Sequence, residues 1–201
     1  MLNDKKRALL LVVSAPSGAG KSSLCNKLTE KFPSMVYSIS CTTRAPRGEE
    51  KNGAHYFFLS PDEFNLRVQR GEFLEYATVH GNSYGTLKQT VMDALMQGRD
   101  IIMDIDVQGA QQIRDACAAM CDDDLIKKSF VDIFITPPSM DELLRRLRGR
   151  STDCETVIAT RMRNAESEMK HQPHYQYTII NDDFETAVRD LVRIIDDEHK
   201  K

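Results

Sequence analysis

Ser14-Ala15-Pro16-Ser17-Gly18-Ala19-Gly20-Lys21-Ser22-Ser23 is a glycine-rich turn between an apolar run, Ala8–Val13, and a segment, Ser23–Phe32, that reads as a helix closed by Pro33. A short unbroken apolar run bounded by Ser, Pro and Gly suits a strand buried on both faces. Glycines let the backbone curl so that successive N–H groups point inward, at a helix N-terminus, where they can meet phosphate oxygens. Lys21 supplies a point charge for the β- and γ-phosphates, and the Ser22 hydroxyl an oxygen for Mg²⁺. The general pattern is G-x4-G-K-[ST]; here Ala15 holds its first glycine position, and alanine reaches φ > 0 only at a cost. A glycine-rich turn with an ordinary lysine is the bland alternative. Strand, turn, Gly20-Lys21-Ser22 and helix in that order argue against it, so Ala15 to Ser23 is expected to bind a nucleoside triphosphate.

Further along, Val36–Ser40 reads as a strand, and Thr42–Gly53, rich in Arg, Lys and Pro, as a loop. His55–Leu59 and Phe73–Val79 read as strands around a helix capped by Ser60 with Pro61 at its first position. Gly81–Gly85 reads as a turn and Leu87–Gln97 as a helix stopped by Gly98. Ile101–Ile105, Val131–Thr136 and Tyr177–Ile180 are strand-like. Helices are expected from Val107, over Ser139–Leu147, Glu155–Met169 and Phe184–Asp197. Strands alternating with helices predict an α/β fold with a parallel sheet covered on both faces. Residues 42–85 break that rhythm and are expected to form a small inserted lobe. No internal repeat is visible, and the 201 residues suit a single domain.

A net charge of -3 gives no general attraction to nucleic acid or anionic lipid, so phosphate binding must come from local clusters. Five cysteines, an odd number without a CxxC pair, point to reduced thiols in a cytoplasmic protein. Cys117 and Cys121 lack a His cluster to complete a zinc site and are expected to be core thiols. Lys5, Lys6 and Arg7 precede the first apolar run as in a signal peptide, but that run is too short for one. No stretch is long enough to cross a bilayer, so a soluble protein is expected.

Ile101-Ile102-Met103-Asp104 is an apolar strand ending in a carboxylate, the arrangement that steadies Mg²⁺ beside a phosphate loop. Asp106-Val107-Gln108-Gly109 matches the D-x-x-G of GTPases, but no N-K-x-D follows; Asn26-Lys27 runs into Leu28-Thr29. A phosphate loop names the donor, not the acceptor. The segments Ser38-Ile39-Ser40-Cys41-Thr42-Thr43-Arg44-Ala45-Pro46-Arg47-Gly48-Glu49 and Asn52-Gly53-Ala54-His55-Tyr56-Phe57-Phe58 resemble the guanylate kinase signature. Gly81-Asn82-Ser83-Tyr84-Gly85-Thr86, Asp104 to Gly109, Pro137-Pro138-Ser139, Arg145 to Arg150 and Asn181-Asp182-Asp183 continue the resemblance, from Leu10 to about Ile195.

That resemblance implies a phosphotransferase moving the γ-phosphoryl group of ATP to GMP, with Mg²⁺ accompanying ATP. It places Arg44, Arg47, Tyr56 and Tyr84 on the GMP phosphate, where guanidinium forks and phenol hydroxyls suit a dianion. It sets Ser40, Glu75, Thr86 and Asp106 around guanine. A carboxylate at Glu75 can take the N1–H and N2–H₂ donors, and a hydroxyl at Ser40 or Thr86 can donate to O6. Read without it, Glu75 is an ordinary strand-edge charge. The resemblance also makes Arg146, Arg150 and Arg161 lid arginines, within about 145–165, that act with Lys21 on the moving phosphoryl group. It brings Asn181 near adenine. Without it, the arginines read as a solvated helix face and Arg44 and Arg47 as a solvated loop.

No general base is needed, because a phosphate monoester is mostly dianionic at neutral pH, its second pKa being about 6. His55 reads as packing or loop polarity rather than as a catalytic group. A partner-binding domain of the same fold that has lost catalysis, and a kinase for another nucleoside monophosphate, are the rival readings. The acidic stretch around Asp122-Asp123-Asp124, between Arg114 and Val131, is expected to be a surface loop or extended helix end. It leaves open a contact between copies of the chain.

Overall fold

The computed structural model describes residues 6–79, 81–149 and 154–201. Its main sheet is built from β1 (Leu10–Ser14), β2 (Val36–Tyr37), β7 (Ile101–Asp104), β8 (Phe130–Thr136) and β9 (Tyr177–Ile180). These run parallel in the order β2-β7-β1-β8-β9. The central strand shows why the first apolar run is unbroken. Leu9, Leu11 and Val13 face one core, while Leu10 and Val12 face the other, and each is at most 1% exposed. Side chains alternate across a strand, so a sheet covered twice needs apolar residues at every position.

The first core is closed by α1 (Lys21–Lys31) and α8 (Phe184–Glu198), whose buried Ala187, Val188, Leu191, Ile194 and Ile195 follow helical spacing. The second is closed by α3 (Lys88–Met96), α4 (Val107–Ala119) and α5 (Leu125–Ser129). Two further helices, α6 (Met140–Gly149) and α7 (Glu155–Met169), bury Leu143 and Leu147 against Ile158 and Ala165. This pair leans on the phosphate loop. A Cβ on Gly18, which has φ +98, would lie 2.9 Å from Leu147 and 3.0 Å from Leu143.

A second sheet lies where the strand–helix rhythm breaks. It holds β3 (Cys41–Thr42), β4 (Phe57–Phe58), β5 (Phe73–Val79) and β6 (Asn82–Leu87), in the order β4-β3-β6-β5. It packs Cys41 and Phe73 on Phe64 of α2 (Pro61–Gln69). Ser60 caps α2 as expected, accepting from the Glu63 N–H at 3.1 Å, with Pro61 in the first turn.

Several elements differ from the sequence reading. Gly81–Gly85 is not a turn; β6 starts at Asn82 and pairs antiparallel with β5, leaving Gly81, at φ +79, at the reversal. The loop from Thr42 is preceded by a two-residue strand that borrows its ladder from β6. Strand β2 is only Val36–Tyr37, and α1 starts at Lys21, because Gly20 in a left-handed conformation serves as its N-cap. In residues 115–130 the extended helix end is found rather than a plain surface loop, followed by a short helix not expected. α4 continues to Ala119, and Asp124 then caps α5, whose Ile126 and Ser129 are buried. Cys117 is buried as expected, but Cys121 lies just past α4 and is exposed.

Candidate active site

The loop between β1 and α1 sits at the carboxyl end of the central strand, where ligands of open α/β sheets bind. Ala15, which replaces the first glycine of the pattern, packs its methyl group into the core beside Ala19 and Leu24. Gly20 cannot be replaced so easily: at φ +92, an added Cβ would collide with the Asn181 side chain. Asn181 is buried against the loop, donating to the Ala19 carbonyl at 2.7 Å. Its own carbonyl accepts from Arg146 at 2.9 Å, tying α6 to the end of β9.

The end of β7 meets this loop. Asp104 Oδ1 lies 2.6 Å from Lys21 Nζ, which also donates to the Ile105 carbonyl at 2.7 Å. Asp104 Oδ2 accepts from the Ser22 hydroxyl at 2.9 Å and from the Tyr37 hydroxyl at 3.1 Å. Two hard oxygen donors, Ser22 and Asp104, thus stand together beside a phosphate-type cradle. Tyr37 is a site residue that the sequence does not mark, since a tyrosine in a short strand carries no signal for this contact. Among the described residues no group of three or more His, Cys, Asp or Glu could hold a metal by itself.

Beside Asp104 opens a cleft of about 270 Å³ lined by Ser40, Tyr56, Glu75, Tyr84 and Asp106. β5 is an edge strand, yet Glu75 is only 5% exposed, because the N-terminal turn of α4 covers it. A Cβ on Gly109 would lie 2.7 Å from Glu75 Oε2, so the glycine is what lets the helix approach. The Thr86 hydroxyl donates to Glu75 Oε1 at 2.8 Å, which leaves Ser40 as the hydroxyl facing the cleft with its proton uncommitted to that carboxylate. Burial pushes the Glu75 carboxyl up to about 7, against the downward pull of the Thr86 hydroxyl. Asp106 has a structural duty too, accepting from the Gly109 N–H at 2.8 Å as the N-cap of α4.

Arg44 stacks on the Tyr56 ring at 5.3 Å and pairs with Glu50 at 2.9 Å. Glu50 also accepts from the Arg47 backbone N–H at 2.8 Å, and these bonds, Arg44 first, hold its carboxyl below the usual range. The Arg47 side chain is exposed and does not line the cleft. Tyr56 and Tyr84 meet edge to face, 6.0 Å apart. His55 is loop polarity, as expected: its Nδ1 accepts from the Lys51 N–H at 3.0 Å.

On the other side of the cradle, Arg146 shares Glu142 with the exposed Arg145, at 2.8 and 2.6 Å, while Arg148 points elsewhere, to Glu155. Arg161 lines the gap between α7 and the tip of β5. Arg150 lies outside the described residues. The guanylate kinase family model matches residues 7–198, nearly the whole chain. The chain belongs to the guanylate kinase family.

Similarity to known guanylate kinases is spread over the full length. The guanylate kinase of Syntrophotalea carbinolica is 47% identical over 95% of this chain and 86% of its own. That of Salmonella paratyphi A is 50% identical over 92% of this chain and 86% of its own. The crystal structure of guanylate kinase from Anaplasma phagocytophilum superposes with a TM-score of 0.74 at 32% identity, covering 98% of this chain and 88% of that one. Membership in the family makes the protein a nucleotide-binding phosphotransferase. No helix among the described residues is long and apolar enough to cross a membrane.

Proposed function

We propose that this chain transfers the γ-phosphoryl group of ATP to GMP across the junction of the two sheets, giving ADP and GDP. One observation carries the assignment of roles. Asp104 bonds both Lys21 and Ser22 of the cradle and, at the same strand end, walls the cleft that holds Glu75. Donor and acceptor sites therefore share one edge, as in-line transfer requires.

On the donor side, the backbone from Ala15 to Ser23 holds the triphosphate, and Asn181 fixes the loop. Mg²⁺ accompanying ATP would be held by Ser22 and Asp104, whose oxygen chemistry fits it, and would neutralise phosphate charge. Lys21 sits between the cradle and Asp104 and can follow the charge of the moving group. Arg146 and Arg161, with Arg150, are proposed to close on the same charge from a lid formed by α6 and α7. On the acceptor side, Arg44, Arg47, Tyr56 and Tyr84 are proposed to bind the GMP phosphate. Arg44 is already stacked and oriented, and Arg47 must swing inward.

Guanine recognition falls to Glu75, accepting from the N1–H and N2–H₂ donors, and to Ser40, donating to O6. Thr86 and Asp106 hold this arrangement, one through Glu75 and the other through the end of α4. Adenine would present the opposite pattern and leave a buried carboxylate unpaired, a large penalty. Five unpaired thiols support a reducing, cytoplasmic setting.

The deciding experiment follows ADP release with ATP and each of GMP, dGMP, AMP, UMP and CMP. Turnover should be confined to the guanine nucleotides. Equal use of AMP would overturn the base assignment, and no turnover with any acceptor would favour a partner-binding domain.

A further inference from the structure

The phosphate cradle contains one carboxylate that the transfer reaction does not use. Glu168, in the last turn of α7, lines the cradle together with Ser17, Lys21 and Asp106. It also lines the adjoining gap, where Arg161 and Asn164 of its own helix face Thr78 and Val79 of β5. Arg161, Asn164 and Glu168 are spaced i, i+3, i+7, so they share one face of the helix. The Glu168 carboxylate thus shares the cavity wall with Ser17, within the influence of the Lys21 ammonium and the Asp106 carboxylate. Its Oε2 is buried and has no hydrogen-bond partner among the described residues. Burial, the largest influence, raises its pKa above the ordinary glutamate value, which marks an anion in an uncomfortable place.

We propose that Glu168 is a positioning residue that couples α7 to the phosphate cradle by competing with the nucleotide's phosphates for the Ser17 N–H. The inference rests on the reading of that cradle as the ATP site. One N–H donor cannot serve a carboxylate and a phosphate oxygen at once, and the two anions repel at this range. The triphosphate wins, because it carries more charge and engages further N–H groups and Lys21. Its arrival dislodges Glu168 and frees the C-terminal end of α7. Arg161 lies seven residues earlier on the same rigid helix, about 10 Å along its axis, so it shifts with that end. Occupancy of the cradle is thereby transmitted to an arginine proposed to act on the moving group. The mechanical link is short.

The test is calorimetric titration of ATP, and separately of GMP, into wild type, Glu168→Gln and Glu168→Ala, with hydrogen exchange over α7 as a second readout. Glu168→Gln keeps the shape and removes the charge, so ATP should bind roughly three- to tenfold more tightly, the scale of one screened charge pair. GMP affinity should stay within about twofold, because its phosphate is proposed to sit on the other sheet. ATP should speed amide exchange near Asn164–Met169 in wild type, and Glu168→Ala, which also removes the acceptor, should exchange fast there without it. Unchanged or weaker ATP binding in both variants, or wild-type exchange indifferent to ATP, would overturn the coupling. A wild-type chain that binds GMP but not ATP would instead overturn the donor-site reading beneath it.

Discussion

At Glu75, burial raises the carboxyl pKa from an ordinary 4.5 to about 7, so near neutrality the folded chain holds acid and carboxylate together. Below about pH 4 both folded and unfolded chains are protonated there, and the residue costs nothing. As pH rises from 4.5 to 7 the unfolded chain releases the proton while the folded chain keeps it, so stability falls across that window. Glu75→Gln should therefore melt higher than wild type at about pH 8, by about 1–2 kcal/mol, and converge with it near pH 4. In the base site proposed above, the same change would turn an acceptor into a donor facing guanine's own donors. kcat/KM for GMP should fall at least about a hundredfold, with KM for ATP unchanged. A stabilised variant with undiminished use of GMP would remove Glu75 from the base site. Lys21→Ala tests the other side. Asp104 keeps the Ser22 and Tyr37 bonds, so the fold should survive, while kcat falls by about 10²–10³, the scale for one lost charge-stabilising donor. An unshifted melting curve with wild-type turnover would exclude Lys21 from the chemistry.

Between the residues and the site stands the hairpin of β5 and β6, which carries Glu75, Tyr84 and Thr86. Its close pairing depends on Gly85, where an added Cβ would lie 2.9 Å from the Phe73 ring and 3.0 Å from the Glu75 carbonyl. Gly85→Ala should cost about 1–3 kcal/mol as an overpacked site and should raise KM for GMP more than KM for ATP. Equal damage to both constants would mean that the hairpin does not act on one substrate alone. This element also marks where the sequence misleads. Asn82-Ser83-Tyr84-Gly85 has turn residues at all positions but Tyr84, so local propensity favours a reversal, and only pairing with its neighbours makes it a strand. The stretch after Arg114 misleads only in part: Asp122 and Asp123 are solvated as they read, but Asp124 is a cap and Ile126 an anchor. The main-sheet strands and the long helices were legible, because an unbroken apolar run and a helical stripe each have few alternative structures. The phosphate loop was legible for a related reason, since its chemistry is local in sequence. The acceptor cleft was not: Ser40, Glu75, Thr86 and Asp106 converge from four separate segments, and only resemblance joined them beforehand.

For the molecule as a whole, the main sheet fixes the cradle while the second sheet and the α6–α7 pair flank it on opposite sides. The contacts across the intervening space are few in kind. Thr78 and Val79 at the tip of β5 face Arg161 and Asn164 of α7 over a gap of about 520 Å³. A gap of that size leaves the reacting phosphate open to water, and water there is a competing acceptor. Transfer to GMP in preference to hydrolysis therefore demands that the two flanks approach one another when both nucleotides are bound. With the roles proposed above, each nucleotide would supply only part of the drive, GMP charge drawing Arg44 and Arg47 on one flank and ATP charge drawing Arg146 and Arg161 on the other. A folded chain of 201 residues has a radius of gyration of about 16 Å, and bringing the flanks together should shorten it by about 1 Å. Small-angle scattering with GMP and a non-hydrolysable ATP analogue together should show that full contraction, and either ligand alone a smaller one. A radius unchanged by the pair would mean that the cleft excludes water without closing, and the lid role of α6 and α7 would fall with it.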